Sequence, residues 1–289
     1  MQNTTPSSTS PQKWDALVIG SGIGGLTCAG ALAKYGWKVL VLEQHYVAGG
    51  CTHMFSRKGY HWDVGVHCMG EMTQNDMPGR TIEWLSNGKV EMKALGHTYD
   101  SFHFPDGFKM EIPDTREKFR ALLKENFPQD HASIDRYFEL ILEAANAARF
   151  YFASRIFPNW STKFAGPLIR KLGHSWWLRT TDEVMSTITT NSKLRSILTA
   201  QWGYYGSTPK NSSFAVHALT TRHFWDGGYY PSGGAKVFAD TFIETIQAAG
   251  GDVWTRKPVQ EILIRGGKAV GVRLESGEEI FAPKVISAA

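Results

Sequence analysis

The chain has 289 residues and a formal net charge of +4, with 42% hydrophobic and 20% charged residues. These values are typical of an ordinary soluble globular protein, and the lack of a basic cluster in the sequence argues against nucleic-acid binding. No apolar run approaches the roughly 18 residues that a membrane span requires. The three cysteines show no C-x-x-C spacing, which argues against a disulfide framework or a zinc site and favours a reducing, cytoplasmic compartment.

The chain begins with a polar segment, residues 1–13, that is rich in Ser and Thr. It has no apolar core of the kind found in signal peptides, so we expect a disordered tail. The remaining length is enough for about two domains.

A strand–turn–helix–strand pattern follows this tail. A mostly apolar run at 14–19 predicts a buried strand, and the glycine-rich turn 20–25 fits G-x-G-x-x-G. A helical pattern at 26–35 leads to Gly36 and to a second apolar strand at 38–42. Glu43 ends this strand 23 residues after Gly20, close to the spacing of about 20 found in dinucleotide-binding units.

These residue types match the chemistry of a dinucleotide site. Gly20 permits a tight turn, Gly22 lets the backbone approach a pyrophosphate, and Gly25 lets helix and strand pack closely. Gly24 lies in the same turn, at the helix N-terminus, where unpaired N–H groups favour an anion. Glu43 would accept hydrogen bonds from an adenosine ribose and repel a 2′-phosphate, which disfavours NADP. The alternative is a glycine-rich βαβ unit that binds nothing.

The middle of the chain changes character. A glycine-rich segment at 57–70 predicts loop and short strand, and a hairpin is expected around 105–107. Helices are predicted at 114–126, with Asp114 and Glu117 as a capping box, and at 131–152. Further helical patterns lie at 166–172, 181–187 and 191–200.

Aromatic residues are concentrated in the segment 150–230. It holds 16 of the 36 aromatic residues of the chain, more than its share of the length. This excess favours a pocket for an apolar ligand, although core packing would produce it too.

The last part of the chain returns to an α/β pattern. A glycine-rich turn at 227–234 opens a helix at 235–248, and short strands are predicted at 252–254, 259–264, 269–274, 279–281 and 284–287. The order of elements predicts a nucleotide-binding domain interrupted by an inserted domain.

A second glycine signature narrows the class. The pair Gly49-Gly50 follows Glu43 closely, and a nicotinamide-binding unit does not need it. Together with 20–25, 41–45, 59–67 and 227–234, it resembles the FAD-dependent phytoene desaturase and carotenoid isomerase family. The resemblance runs from about Trp14 to the end of the chain.

The resemblance implies an α/β fold of the amine oxidase and phytoene desaturase type. A Rossmann-like FAD-binding domain would comprise 14–95 and 232–289, and an inserted α+β substrate domain would comprise 96–231. The implied activity is oxidation, reduction or isomerisation of carbon–carbon double bonds in an isoprenoid polyene such as a retinoid or carotenoid.

The resemblance also implies which residues contact FAD. Gly20, Gly22, Gly25, Glu43, Gly49 and Gly50 would do so directly. Val259 would present backbone atoms to the adenine, and Gly233-Gly234 would lie toward the flavin. His67 would also lie toward the flavin, as a possible catalytic residue, or it is a hydrogen-bonded structural histidine.

Residues 169–179 mix basic residues with Trp176 and Trp177. Such a patch predicts peripheral contact with a membrane surface that would admit a polyene. The alternative is a helix and loop whose tryptophans pack in the core.

Relatives of this type continue well beyond the position of Ala289, so we expect a partial chain whose C-terminal segment is missing. Three rival functions remain on the sequence alone. They are an FAD enzyme of the same fold for another apolar or amine substrate, a non-catalytic prenyl binder like the Rab GDP-dissociation inhibitors, and an inactive fragment.

Overall fold

A computed structural model describes residues 14–154 and 175–289 of the chain. The chain divides into two compact units. The first comprises the described parts of Met1–Val66, Thr73–Lys93 and Tyr230–Ala289, and the second those of His67–Met72 and Ala94–Tyr229. Residues 67–72 pack with the second unit, whereas the sequence placed them in the first. The predicted helix at 166–172 lies outside the described residues.

The first unit is built on a parallel sheet. Its strands are β1 (Ala16–Ile19), β2 (Val39–Leu42), β9 (Asp252–Trp254) and β13 (Val285–Ser287), in the order β13-β1-β2-β9. The register pairs Leu17 with both Leu40 and Val285. Strands β1 and β2 carry continuous apolar sequence because both faces of the sheet are covered.

Alternate residues of these strands enter two different cores. Ala16, Val18, Val39 and Val41 pack with helices, and Leu17, Leu40 and Leu42 pack with a second, antiparallel sheet. The helices are α1 (Ile23–Lys34), α2 (Met77–Ser86) and α9 (Lys236–Ala248). The antiparallel sheet consists of β10 (Val259–Arg265), β11 (Lys268–Leu274) and β12 (Glu279–Phe281). A hairpin of β3 (Met54–Arg57) and β4 (Tyr60–Asp63) completes this unit.

The second unit has a hairpin and a set of helices around its own core. Strands β6 (Thr98–His103) and β7 (Lys109–Pro113) pair antiparallel. The helices are α3 (Arg116–Asn126), α4 (His131–Ser154), α5 (Thr181–Ser186), α6 (Ser192–Thr199), α7 (Trp202–Tyr205) and α8 (Phe214–His223). Two short strands, β5 (Met92–Ala94) and β8 (Tyr229–Pro231), lie where the chain passes between units.

The predicted capping box of α3 is wrong. Thr115 is the N-cap, and its side chain accepts a hydrogen bond from the Lys118 backbone N–H. Asp114 instead contacts the side chains of His97 and Lys118. The hydroxyl one residue later satisfies the helix N-terminus, so Asp114 is left free to form ion pairs.

Within the part of the chain that the structure describes, no helix has the length and apolar character needed to cross a membrane.

Candidate functional site

The site begins at the turn between β1 and α1. Gly20 has φ +92°, a conformation that favours glycine. A Cβ added at Gly25 would lie 2.0 Å from the carbonyl oxygen of Gly20, so only glycine fits there. The two glycines therefore bring the start of α1 directly against the end of β1.

The outer side of this turn is open. A Cβ added at Gly22 or Gly24 would meet no atom within 4 Å. Gly22 is the N-cap of α1, no side chain caps this helix end, and its first turn carries no acidic residue. The N–H groups and the positive end of the helix dipole therefore face space that an anion can occupy.

Glu43 stands at the end of β2 and is only 7% exposed. Its Oε2 accepts hydrogen bonds from the backbone N–H and the hydroxyl of Ser21, at 2.8 and 2.5 Å, and its Oε1 accepts one from the His45 N–H at 2.8 Å. Burial alone would raise the pKa of Glu43, but these hydrogen bonds to the charged form outweigh it and lower the pKa. The site therefore holds an ionised carboxylate.

The Gly49-Gly50 pair closes onto the same turn. The two residues have φ +117° and +54°, and a Cβ added at Gly50 would lie 2.8 Å from the Cα of Gly22. The Gly49 N–H contacts both the carbonyl oxygen and the hydroxyl oxygen of Ser21, each at 3.1 Å. The close backbone approach explains why a glycine is required at position 50.

The segment before β10 runs beside the acidic end of β2. The N–H of Lys257 donates to the carbonyl oxygen of Glu43 at 2.8 Å, and the N–H of Arg256 donates to that of His45 at 3.0 Å. Val259, the first residue of β10, lies two residues beyond this contact and packs partly buried against the core of the antiparallel sheet.

Gly233 and Gly234, with φ +91° and +84°, form the turn before α9 in the same unit. A Cβ added at Gly234 would lie 3.3 Å from the Asp63 carboxylate. That carboxylate accepts hydrogen bonds from the Ala235 N–H at 3.1 Å and from the Tyr230 hydroxyl at 2.5 Å. Asp63 therefore fixes the turn that the two glycines make.

His67 belongs to the second unit, whereas the site glycines and Glu43 belong to the first. Its Nδ1 lies 2.6 Å from the carbonyl oxygen of Cys68, and its Nε2 lies 3.3 Å from that of Tyr204. Its ring is also 4.7 Å from the Tyr204 ring. These contacts match the hydrogen-bonded histidine of the sequence alternative.

The basic and tryptophan-rich patch is described only in part, because 169–174 lie outside the described residues. Trp176 packs against the core of the second unit, with its ring 5.5 Å from that of Phe214. The ring of Trp177 lies 5.3 Å from Tyr151 and 5.9 Å from Phe152. Both tryptophans thus have ring partners within the chain, and membrane contact stays a prediction.

The geometry of the first unit suits a dinucleotide. One carboxylate stands beside a helix N-terminus, and the second glycine turn lies directly against the first where Gly50 meets Gly22. Among the described residues, no group of three or more His, Cys, Asp or Glu side chains is placed to hold a metal ion. The open backbone around Gly22 and Gly24 fits a pyrophosphate, and the ionised Glu43 fits a ribose hydroxyl.

Two residues of this site escape sequence reasoning. Ser21 occupies a variable position of the G-x-G-x-x-G pattern, and Asp63 acts on a turn about 170 residues away in the chain. The sequence signal for Ser21 is weak, because the pattern specifies only the glycines. The contact of Asp63 is long-range and needs the fold to become visible.

Comparisons with known sequences bear on the family. Residues 18–78 match the model of an NAD(P)-binding Rossmann-like domain. Within the family that the motifs of this chain resemble, the sequence predicts a likeness to all-trans-retinol 13,14-reductase, also called retinol saturase, and the comparisons confirm this likeness. The enzymes of this name from Danio rerio and Homo sapiens are 36% and 35% identical to the chain, over 96% of it and 47% of their own length.

More distant relatives differ in their names. A Danio rerio protein described as an inactive all-trans-retinol 13,14-reductase is 30% identical, over 96% of the chain and 47% of its own length. A chloroplastic prolycopene isomerase of an Oncidium hybrid cultivar is 28% identical, over 96% of the chain and 48% of its own length. The chain thus spans about half the length of the curated relatives it matches.

Solved structures share the fold at low sequence identity. An oxidoreductase from Methanosarcina mazei has a TM-score of 0.64 at 21% identity, over 94% of this chain and 58% of that one. A putrescine oxidase bound to putrescine has a TM-score of 0.63 at 17% identity, over 96% and 58%. The predicted α/β, Rossmann-like fold is therefore confirmed, and the homologues of this chain are all-trans-retinol 13,14-reductases and, further out, prolycopene isomerases.

Proposed function

We propose that this chain carries the FAD-binding part of an oxidoreductase that acts on carbon–carbon double bonds of an isoprenoid polyene, a retinoid or carotenoid. One observation carries the proposal. Two glycine turns and an ionised carboxylate converge in one unit of a chain that is 36% identical to an all-trans-retinol 13,14-reductase. When bound, FAD would supply hydride exchange with the polyene, and the protein would supply binding and orientation.

In this proposal, Glu43 accepts a hydrogen bond from the adenosine ribose. Gly22, Gly24 and the first turn of α1 receive the pyrophosphate, because their outer side is open and no side chain caps this helix N-terminus. Gly49 and Gly50 leave space for the rest of the cofactor, where a side chain would collide with it.

Three further residues have proposed places at the ends of the cofactor. Val259 presents backbone atoms to the adenine, in keeping with the contact of Lys257 to Glu43 nearby. Gly233 and Gly234 lie toward the flavin. No general acid or base is assigned, and His67 is retained only as a candidate.

The two units would have different functions. The first unit is the FAD-binding domain, and the second is part of the substrate domain. Partly buried aromatic side chains of the second unit pack against its apolar core, which is the core-packing alternative given for the aromatic excess. A peripheral membrane contact near 169–179 would give an apolar substrate a route from a lipid phase.

A second candidate is a non-catalytic protein, and a specific finding favours it. One relative, at 30% identity, is described as an inactive all-trans-retinol 13,14-reductase. Another apolar or amine substrate is the third possibility. Flavin content separates an enzyme from a binder that holds only a prenyl group.

The test is the visible absorption spectrum of the purified 289-residue protein, followed by mass identification of any released cofactor. Bound FAD is the expected result. A change in polyene absorbance with all-trans-retinol or a carotenoid, under reducing and oxidising conditions, then tests the substrate class. A colourless protein that does not take up added FAD contradicts the cofactor proposal, and bound FAD without any change in polyenes contradicts the substrate proposal.

A further inference from the structure

The side chain of Ser21 joins three parts of the nucleotide site. Ser21 is fully buried and lies in the turn between β1 and α1. Its hydroxyl donates to Oε2 of Glu43 at 2.5 Å and accepts from the N–H of Gly49 at 3.1 Å. One oxygen atom therefore links the first glycine turn, the acidic end of β2 and the second glycine turn.

The hydrogen bonds of Glu43 are divided unevenly between its two oxygens. Oε2 receives both donors of Ser21, and Oε1 receives the single N–H of His45. A carboxylate oxygen has two lone pairs, so Oε2 is saturated by the protein and Oε1 retains one acceptor site. The carboxylate is thereby oriented before any ligand arrives, which lowers the cost of binding.

We infer that Ser21 is a positioning residue of the nucleotide site, whose hydroxyl holds Glu43 and the Gly49 turn in the geometry that receives the ribose, leaving Oε1 for the ligand. The inference rests on the proposed FAD site and adds a residue that the glycine pattern does not specify. A hydrogen bond to a charged group is stronger than one between neutral groups. Removing the hydroxyl should therefore cost more at its bond to Glu43 than at its bond to Gly49.

The test compares Ser21→Ala with Ser86→Ala. Ser86 is a fully buried serine of the same unit, and its hydroxyl hydrogen-bonds to backbone atoms of Glu83 and Val90. Ser21→Ala keeps the backbone N–H to Glu43 and removes the hydroxyl alone. We expect the dissociation constant of FAD to rise about tenfold in Ser21→Ala and to stay unchanged in Ser86→Ala.

Two readouts separate positioning from general destabilisation. The first is the pH dependence of FAD affinity. In the wild type the affinity should be flat from about pH 5 to about pH 7.5, because the pKa of Glu43 lies below its ordinary value of 4.5. In Ser21→Ala the pKa of Glu43 should rise, so FAD should bind more weakly at the acidic end. The second is the NMR titration of the Glu43 carboxyl carbon without FAD, assigned with Glu43→Gln.

The outcomes are distinct. A raised Glu43 pKa together with weaker, pH-dependent FAD binding supports the inference. Equal FAD affinity and an unchanged Glu43 titration in Ser21→Ala overturn it. If no variant, nor the wild type, binds FAD, the cofactor proposal fails, and the Glu43 titration alone then decides whether Ser21 holds the carboxylate.

Discussion

Neighbouring glycines in the first turn have opposite environments. Gly25 is enclosed, since an added Cβ would lie 2.0 Å from a backbone oxygen, and Gly24 is exposed with nothing within 4 Å. The G-x-G-x-x-G pattern predicts the need for Gly25, but it has no information on Gly24. Gly25 therefore serves the packing of α1 on β1, and Gly24 is free to serve a ligand.

This contrast predicts that Gly25→Ala lowers the free energy of unfolding by about 3 kcal/mol through overpacking. Gly24→Ala should be neutral or slightly stabilising without cofactor, because alanine favours a helix. Urea unfolding of both variants measures the difference. With FAD, Gly24→Ala should weaken binding by placing a methyl group where the pyrophosphate would lie. Equal stability of the two variants would contradict the packing argument.

Glu43 gives a second prediction at this scale. Glu43→Gln puts an NH₂ group among N–H and O–H donors, so we expect the free energy of unfolding without cofactor to fall by about 1–3 kcal/mol at pH 7. Since folding lowers the pKa of Glu43, its contribution is present above the unfolded pKa of 4.5 and is lost as the pH falls below it.

The measurement for Glu43 is urea unfolding of wild type and Glu43→Gln at pH 7 and pH 4. The difference between the two proteins should narrow at the lower pH. A difference that is the same at both pH values would show that the carboxylate charge is not what stabilises the turn.

The sequence predicts secondary-structure elements that have a strong hydrophobic periodicity. It does not predict elements whose formation depends on capping residues or on contacts with distant parts of the chain. The predicted strands at 252–254, 259–264 and 279–281 match β9, β10 and β12 closely. Helix α2 was not predicted, because Pro78 and Gly79 near its start obscure the pattern. The predicted loop and short strand at 57–70 contains β4, whereas the sequence predicts no strand over β3, since both strands are only four residues long.

A polar network joins four helices of the second unit, α4, α6, α7 and α8. The Tyr137 hydroxyl on α4 donates to the carbonyl oxygen of Leu198 at 2.9 Å and lies 3.1 Å from Nε2 of His217 on α8. The Tyr205 hydroxyl on α7 lies 3.2 Å from Nδ1 of His217. The Thr221 hydroxyl lies 3.4 Å from the same Nε2, so both ring nitrogens of His217 have hydroxyl partners.

This network predicts acid sensitivity of the second unit. Burial lowers the pKa of His217 to about 4 from 6.5, so between these values the unfolded chain binds a proton that the folded chain does not. Stability is therefore lost as the pH falls from 6.5 toward 4, by about 2 kcal/mol between pH 7 and pH 5. In His217→Gln that loss should disappear. Urea unfolding of both proteins at pH 7 and pH 5, followed by signals from α4 and α8, measures this loss of stability. An equal loss in wild type and His217→Gln would show that other groups cause it.

At the scale of the whole molecule, each unit has a core of its own, and the proposed cofactor residues fall in one unit. The sequence predicts a nucleotide-binding domain interrupted by an inserted domain, because the chain leaves the α/β pattern after the first glycine signatures and returns to it at 232–289. It cannot predict that 67–72 pack with the second unit, since that depends on contacts such as the hydrogen bond from the Gly70 N–H to His223. For the same reason the sequence does not predict that His67 lies in the second unit.

The division predicts where FAD will stabilise the chain. A ligand at 100 times its dissociation constant stabilises the fold that binds it by about 2.7 kcal/mol. If the first unit holds FAD, hydrogen exchange should slow in β1, α1 and β2 and in β9 to β13, and much less in α3 and α4.

Mass spectrometry of exchanged peptides with and without FAD gives this map, and Gly25→Ala serves as the control in which the protection is reduced. Protection confined to 98–149 would place the ligand in the second unit and contradict the assignment of both units, because the glycine turns and Glu43 would then have no part in binding it.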